Sequence, residues 1–311
     1  MKDIFEDIAN MQQNIQPLNI NGLKGRLLRI PSAKKTRKRE ILLIYGHHSS
    51  LERMYGVAEA FADYGNVAVP DLPGFGGMDS FYKIGMKPTI DNMADYLATF
   101  VKLKYRNKKV TIIGMSMGFV IATRMLQKYP DLANKVNLLV SLVGFTHKND
   151  YTFSRNRMFF YRASANVLSK RIPSILFYNI ALHPTMLRSL YSRMHNAKNK
   201  FKHLDDKDKK QMIEFEVILW RENEVRTAAL TSYEMLTLDN CKKQIDLPVY
   251  SVSVENDQYF DNATVEQHMR VIFTDFTDYR TKPPAHAPSI VATKSAAAPF
   301  MPTKLKRLLS K

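Results

Sequence analysis

Four uninterrupted apolar runs constrain this chain most: EILLIYG from Glu40, NVAVP from Asn66, VTIIGM from Val110 and KVNLLVSLVGF from Lys135. Each is rich in Val, Ile and Leu without polar alternation, so strands of this kind bury both faces. Segments of helical periodicity separate them, including LERMYGVAEAFADYG from Leu51 and TIDNMADYLATFVKLKY from Thr89. Strands alternating with amphipathic helices predict a parallel sheet covered by helices on both faces, an α/β architecture. Upstream, LNINGLKGRLLRIP reads as a hairpin turning at Asn21-Gly22, a dipeptide that accepts two positive φ angles. Thr89 or Asp91 is the expected cap of the helix that follows.

The rhythm stops from about His147 to Glu234. That stretch is helix-like, aromatic and basic, with a charged break at HLDDKDKKQ. Afterwards LPVYSVSVEND restores a strand, NATVEQHMRVIF a helix and TDYRTK a short strand. The expected organisation is a sheet domain in two parts, 1–145 and 235–311, the second ending in a basic tail, with a helical insertion over 146–234. No internal repeat is visible.

Charge is unevenly placed. Lys and Arg number 46 against 29 Asp and Glu, a net charge of +17, and ten basic residues but no acidic one lie between Asp150 and Asp205. Such a field suits anionic membranes, acidic substrates or nucleic acid as well as simple solubility. No helix-turn-helix or other nucleic-acid module is legible, so no nucleic-acid partner is expected. No apolar stretch approaches the length of a membrane-spanning helix. The acidic, amphipathic start MKDIFEDIANMQQNIQ lacks the charged-then-apolar pattern of a secretion signal, and a cytoplasmic location is the expectation. The single cysteine, Cys241, excludes an internal disulfide and a Cys-based zinc cluster; it reads as a packed small residue. Composition leaves the oligomeric state open.

The third apolar run ends in Gly114-Met115-Ser116-Met117-Gly118 and continues into helix-forming residues. Glycines of this kind also make ordinary strand-to-helix junctions. In a strand–turn–helix context, however, G-x-S-x-G lifts a serine hydroxyl above the carboxyl edge of a parallel sheet, where ligands bind. A serine nucleophile needs a base, and the base an orienting acid. Asp257 stands just beyond the strand VYSVSV, whereas Asp261 suits the cap of the next helix and Glu255 aims less well at the site. Of the histidines that follow, His268 falls inside a helix, where a surface position is expected. His286, in the loop PPAHAPS after the last strand, has the freedom to reach Ser116. Backbone N–H groups of Met117, at a helix N-terminus, and of His47, in YGHHSS, suit a developing oxyanion. The adjacent His47 and His48 diverge on a turn without a third ligand at useful spacing, so no metal is expected. The DLPGFGG loop from Asp71 lacks the Lys-Ser/Thr of a phosphate loop.

GMSMG, PDLPGFG, LPVYSVSVEND and the late histidine together resemble the α/β-hydrolase superfamily with a helical cap, over roughly residues 16–145 and 235–300. The resemblance implies a mostly parallel central sheet flanked by helices, with Ser116 as nucleophile, His286 as base, Asp257 as orienting acid, and His47 and Met117 as oxyanion donors. It implies acyl transfer through a covalent ester, normally to water, without a cofactor. A serine here argues against dehalogenase or epoxide chemistry, which uses an aspartate. Tyr45-Gly46 stands where relatives commonly carry His-Gly, and Val254 where they often have glycine. The insertion would select the substrate, with Phe153, Phe159, Phe160, Tyr161, Phe177 and Tyr178 set among Arg155, Arg157, Arg162, Lys170 and Arg171. Helical spacing makes most of these aromatics core residues, and the remainder would suit acyl chains with anionic headgroups. The expectation is a carboxylic-ester hydrolase, esterase or lysophospholipase-like, acting on a small ester or lipid, with peripheral contact to an anionic membrane. A C–C hydrolase or acyltransferase of the same fold, and a non-catalytic binding protein, remain as alternatives.

Overall fold

The computed structural model describes residues 11–34, 39–193, 206–282, 286 and 293–310. Residues 1–10 of the amphipathic start and 35–38 of the basic loop AKKTRKRE lie outside them; Met11, from the same start, is fully buried.

The apolar runs become the strands of one eight-stranded sheet. In chain order these are β1 (Ile15–Ile20), β2 (Leu23–Ile30), β3 (Glu40–Ile44), β4 (Asn66–Pro70), β5 (Val110–Met115), β6 (Val136–Leu142), β7 (Ile245–Val254) and β8 (Phe273–Thr281). Their spatial order is β1-β2-β4-β3-β5-β6-β7-β8. The first two pairings are antiparallel and those from β4 to β8 parallel. Asn21 and Gly22 take φ of 52° and 81°, the two left-handed residues a tight β1–β2 hairpin requires. Every residue of β5 is buried, as a central strand covered on both faces must be.

Helices α1 (Leu51–Ala62), α2 (Ile90–Lys104) and α3 (Met117–Lys128) link the central strands. Ser50 caps α1 by accepting from the Arg53 N–H, and Thr89, rather than Asp91, caps α2 through the Asn92 N–H. Between β6 and β7 run α4 (Arg155–Leu168), α5 (Arg171–Ile180), α6 (Pro184–Arg193), α7 (Asp206–Glu222) and α8 (Val225–Leu236). After β7 come α9 (Asn262–Ile272), the single turn α10 (Lys294–Ala297) and α11 (Thr303–Ser310). Asp261 caps α9 as expected, accepting from the Thr264 N–H at 2.8 Å.

Several sequence readings need correction. The charged stretch from Asp206 is not a break but the first turn of α7, where acidic side chains face the positive end of the helix dipole. β8 begins at Phe273, directly on the end of α9, and is longer than the expected TDYRTK. In the basic tail, KLKRLL forms a helix that buries Leu305 and Leu309. Phe159 and Phe160 are not core residues but lie 76% and 64% exposed. Cys241 is half-buried and packs against the main core.

Candidate active site

Gly114 and Gly118 bracket a close approach of backbones. A Cβ on Gly114 would meet the Phe119 Cα at 2.5 Å, and one on Gly118 would run into the Ile44 and Tyr45 carbonyls. With side chains removed at both positions, β5 turns into α3 within one residue. That residue is Ser116, at φ 47° and ψ −116°. A non-glycine residue at such a φ is strained, and strain of this kind concentrates at functional sites. A serine at a helix N-cap normally spends its oxygen on a backbone N–H, but Ser116 makes no such capping bond. Its own N–H donates to the Leu142 carbonyl at 2.9 Å, which anchors the turn to β6. Met117 opens α3, so its N–H is one of the helix donors without an intrahelical acceptor.

The loop after β3 passes next to this turn: a Cβ on Gly46 would lie 3.3 Å from the Ser116 Cβ. His47 follows, and its ring is fastened elsewhere. Its Nε2 donates to the Ala228 carbonyl on α8 at 2.9 Å and lies 3.2 Å from the Ser232 hydroxyl. Burial pushes the His47 imidazole down to about 4, against the opposing pull of the Ala228 carbonyl, and the neighbouring His48 lowers it further. The ring is therefore neutral at pH 7. His48, at φ 52°, turns its ring to Trp220 with centroids 4.0 Å apart, so the two imidazoles diverge onto different helices.

Asp257 and His286 meet. Asp257 Oδ2 lies 2.5 Å from His286 Nδ1, while its Oδ1 accepts from the Tyr259 and Phe260 N–H groups at 2.8 and 3.3 Å. Both carboxylate oxygens are thus committed, which fixes the plane of the acid and the Nδ1–H tautomer of the histidine. The rings of Tyr259 and Phe260 flank the imidazole at 5.1 and 5.3 Å, and Phe260 stacks on Phe145 at 4.5 Å. Glu255 instead pairs outward with Lys282 at 3.4 Å. Asp257 follows β7 and Ser116 follows β5 at the carboxyl ends of parallel strands, with His286 in the connection after β8.

Other contributors were not apparent from the sequence. Tyr45, fully buried, accepts from the Leu72 N–H at 2.6 Å, so the residue that departs from the usual His-Gly pair holds the DLPGFGG loop. Arg26 on β2 grips the same loop, donating to Asp71 at 2.9 Å and the Gly76 carbonyl at 2.6 Å. Asn223 accepts from the Gly76 N–H at 2.9 Å, joining the loop to the residues between α7 and α8. His268, expected on the surface, is bonded by Nδ1 to the fully buried Asp150 at 2.5 Å. Only its distance from Asp150 in sequence, 118 residues, hid that pair. Among the described residues, no group of three or more His, Cys, Asp or Glu is arranged to hold a metal, and no helix is long and apolar enough to cross a membrane.

No curated protein sequence matches the chain. Solved structures do. A membrane phospholipase A, described as a bacterial virulence factor, superposes with a TM-score of 0.66 at 14% identity, covering 98% of this chain and 91% of that one. A thermophilic esterase from Thermogutta terrifontis gives 0.60 at 17% identity over 95% and 100% of the two chains. An N-formylmaleamic acid deformylase from Pseudomonas putida gives 0.61 at 19% identity over 87% and 94%. At these identities the likeness is one of fold. The family model of the alpha/beta hydrolase fold matches residues 41–292, a span from β3 to beyond His286, and the chain belongs to that family.

Proposed function

We propose that the protein is a serine hydrolase that cleaves carboxylic esters through Ser116, His286 and Asp257. The observation that carries this reading is the uncapped, strained Ser116 at the head of α3, on the same edge of the sheet as a histidine already fixed by a fully committed carboxylate. His286 Nε2 takes the Ser116 proton as Oγ bonds to the ester carbonyl carbon. Nδ1–H stays on Asp257, which stabilises the imidazolium. The N–H groups of Met117 and His47 receive the developing oxyanion, a role that calls for donors set in advance. The fastening of the His47 ring to α8 supports such a fixed placement. Collapse of the tetrahedral adduct breaks the bond to the leaving oxygen, which departs with the proton from His286. Water then attacks the acyl-enzyme, with His286 as base again, and releases the acid.

In this reading residues 146–234 form a cap over the site. The seating of α8 and the residues just before it on the loops at the carboxyl edge supports it, through His47–Ala228 and Gly76–Asn223. Phe145, Tyr259 and Phe260 beside His286 favour an apolar acyl group. The test is an ester panel of increasing acyl length, run with competing alcohols. Hydrolysis that vanishes in Ser116→Ala, by on the order of 10⁶ in kcat, supports the reading. Transfer to the alcohol as the main outcome would make the protein an acyltransferase, and unchanged turnover in the variant would sink the assignment.

A further inference from the structure

Two of the helices between β6 and β7, α4 and α5, turn small residues inward and large apolar ones outward. On α4, Ala165 is buried while Phe159 and Phe160 are exposed and Val167 is 55% exposed. On α5, Ser174 is buried while Ile172 is 72% and Ile180 63% exposed, with Ile175 and Leu176 between them. On α6, Met186 and Leu190 are exposed as well, although Leu187 between them is buried. Spacings of three and four residues collect the side chains of α5 into one stripe, and on α4 Phe160 and Val167, seven residues apart, share one face. α4 and α5 pack on each other and on α8, so their stripes face away from the sheet domain. Single exposed apolar residues are ordinary, but contiguous stripes on successive helices mark a contact surface.

Cations frame the stripes. Arg155 and Arg157 open α4, and Lys170 and Arg171 stand at the α4–α5 turn, all four exposed. Arg162 does not belong with them, because its guanidinium turns inward to the Leu236 carbonyl at 2.8 Å. The chain offers no carboxylate between Asp150 and Asp205 to neutralise the surface from within the segment. A second copy docking face to face would set these cations against their own equivalents. A bilayer with anionic headgroups is complementary in both respects: aromatic and aliphatic side chains enter the acyl boundary while Arg and Lys meet phosphates.

We infer that the outer face of α4 to α6 is a docking surface for anionic lipid bilayers. The inference is separate from the hydrolytic reading, because binding is measured without turnover. The experiment is co-sedimentation of the full chain with phosphatidylcholine vesicles, pure or mixed equally with phosphatidylglycerol, at low salt and at about 1 M salt, where the Debye length is near 3 Å. Expected is binding to the mixed vesicles at least about tenfold above pure phosphatidylcholine, lost at high salt. Combined Phe159→Ser, Phe160→Ser, Ile172→Ser and Leu176→Ser should lower binding about tenfold or more. Combined Arg155→Gln, Arg157→Gln, Lys170→Gln and Arg171→Gln should erase the headgroup preference. The second variant changes only exposed side chains, so it reads the same surface should the first fail to fold. Equal wild-type binding to both vesicle types, or a charge variant that keeps the preference, would overturn the inference. So would a dimer in sedimentation equilibrium that the apolar variant abolishes.

Discussion

Among the described residues, two histidine–aspartate pairs are built almost alike. Asp257–His286 and Asp150–His268 each close at 2.5 Å through Nδ1. In each, the carboxylate also accepts two backbone N–H groups: Tyr259 and Phe260 for Asp257, Thr146 and His147 for Asp150. Both acids follow the carboxyl end of a parallel strand, β7 and β6 respectively. The difference lies in what carries the histidine. His268 is inside α9, beside the His147 ring at 4.3 Å, and its bond ties the connection after β6 to that helix. The same seam is stitched by Asp261 N–H to the Asp150 carbonyl at 2.8 Å and by the Tyr151–Phe260 bridge. His286 follows β8 in the chain, stands outside any helix or strand, and lies between two aromatic rings. A short His–Asp bond alone does not separate a structural tie from the acid–base pair proposed here; His268 is held inside α9, whereas His286 stands outside any helix or strand.

The comparison breaks most visibly in turnover. Asp257→Asn should lower kcat on a soluble ester by about 10⁴, the loss expected when a base is left in the wrong tautomer, whereas Asp150→Asn should stay within a few-fold. Unfolding in urea should rank the pair in the opposite order. Asp150 is fully buried and satisfies three donors, so Asp150→Asn should cost about 2–4 kcal/mol. Asp257→Asn should cost less, because its histidine partner stands outside any helix or strand. His268→Ala, which leaves one oxygen of Asp150 unpaired, should cost about 2 kcal/mol with ester turnover nearly unchanged.

A third histidine sharpens the contrast through pH. His47 is pushed down to about 4 when folded, against about 6.5 for a free imidazole. Between those values the unfolded chain binds a proton that the folded one refuses, so stability declines as pH falls from about 6.5 to 4, by up to about 3 kcal/mol. Chemical denaturation across that window checks it, with His47→Gln expected to flatten the slope. An unchanged slope would mean that another group governs the acid side.

Most of the sheet was legible because two-sided burial writes itself into sequence as runs without polar alternation. Asn21-Gly22, Thr89 and Asp261 were legible for a more local reason: each satisfies a backbone demand within three residues. Ser116 and Asp257 could be singled out because they end strands. What stayed hidden depends on contacts distant in sequence. Nothing near His268 announces Asp150, and nothing in YG announces that Tyr45 will hold Leu72. Helical spacing suggested that aromatics such as Phe159 and Phe160 are core residues, and α4 carries no contrasting acidic face to show that they turn outward. The second half of β8 was expected as TDYRTK, but its start at Phe273 escaped because its burial does not alternate and no turn residue separates it from α9.

The central claim is that only one of the two pairs serves Ser116. The most direct test is the rate at which a fluorophosphonate labels Ser116, read by mass on its peptide, in wild type, His286→Ala and His268→Ala. The account predicts rapid labelling of Ser116 in wild type and His268→Ala, and a rate reduced at least about a hundredfold in His286→Ala, as loss of a general base requires. Rapid labelling in His286→Ala together with its loss in a folded His268→Ala would contradict it, and move the base to the pair assigned here to structure.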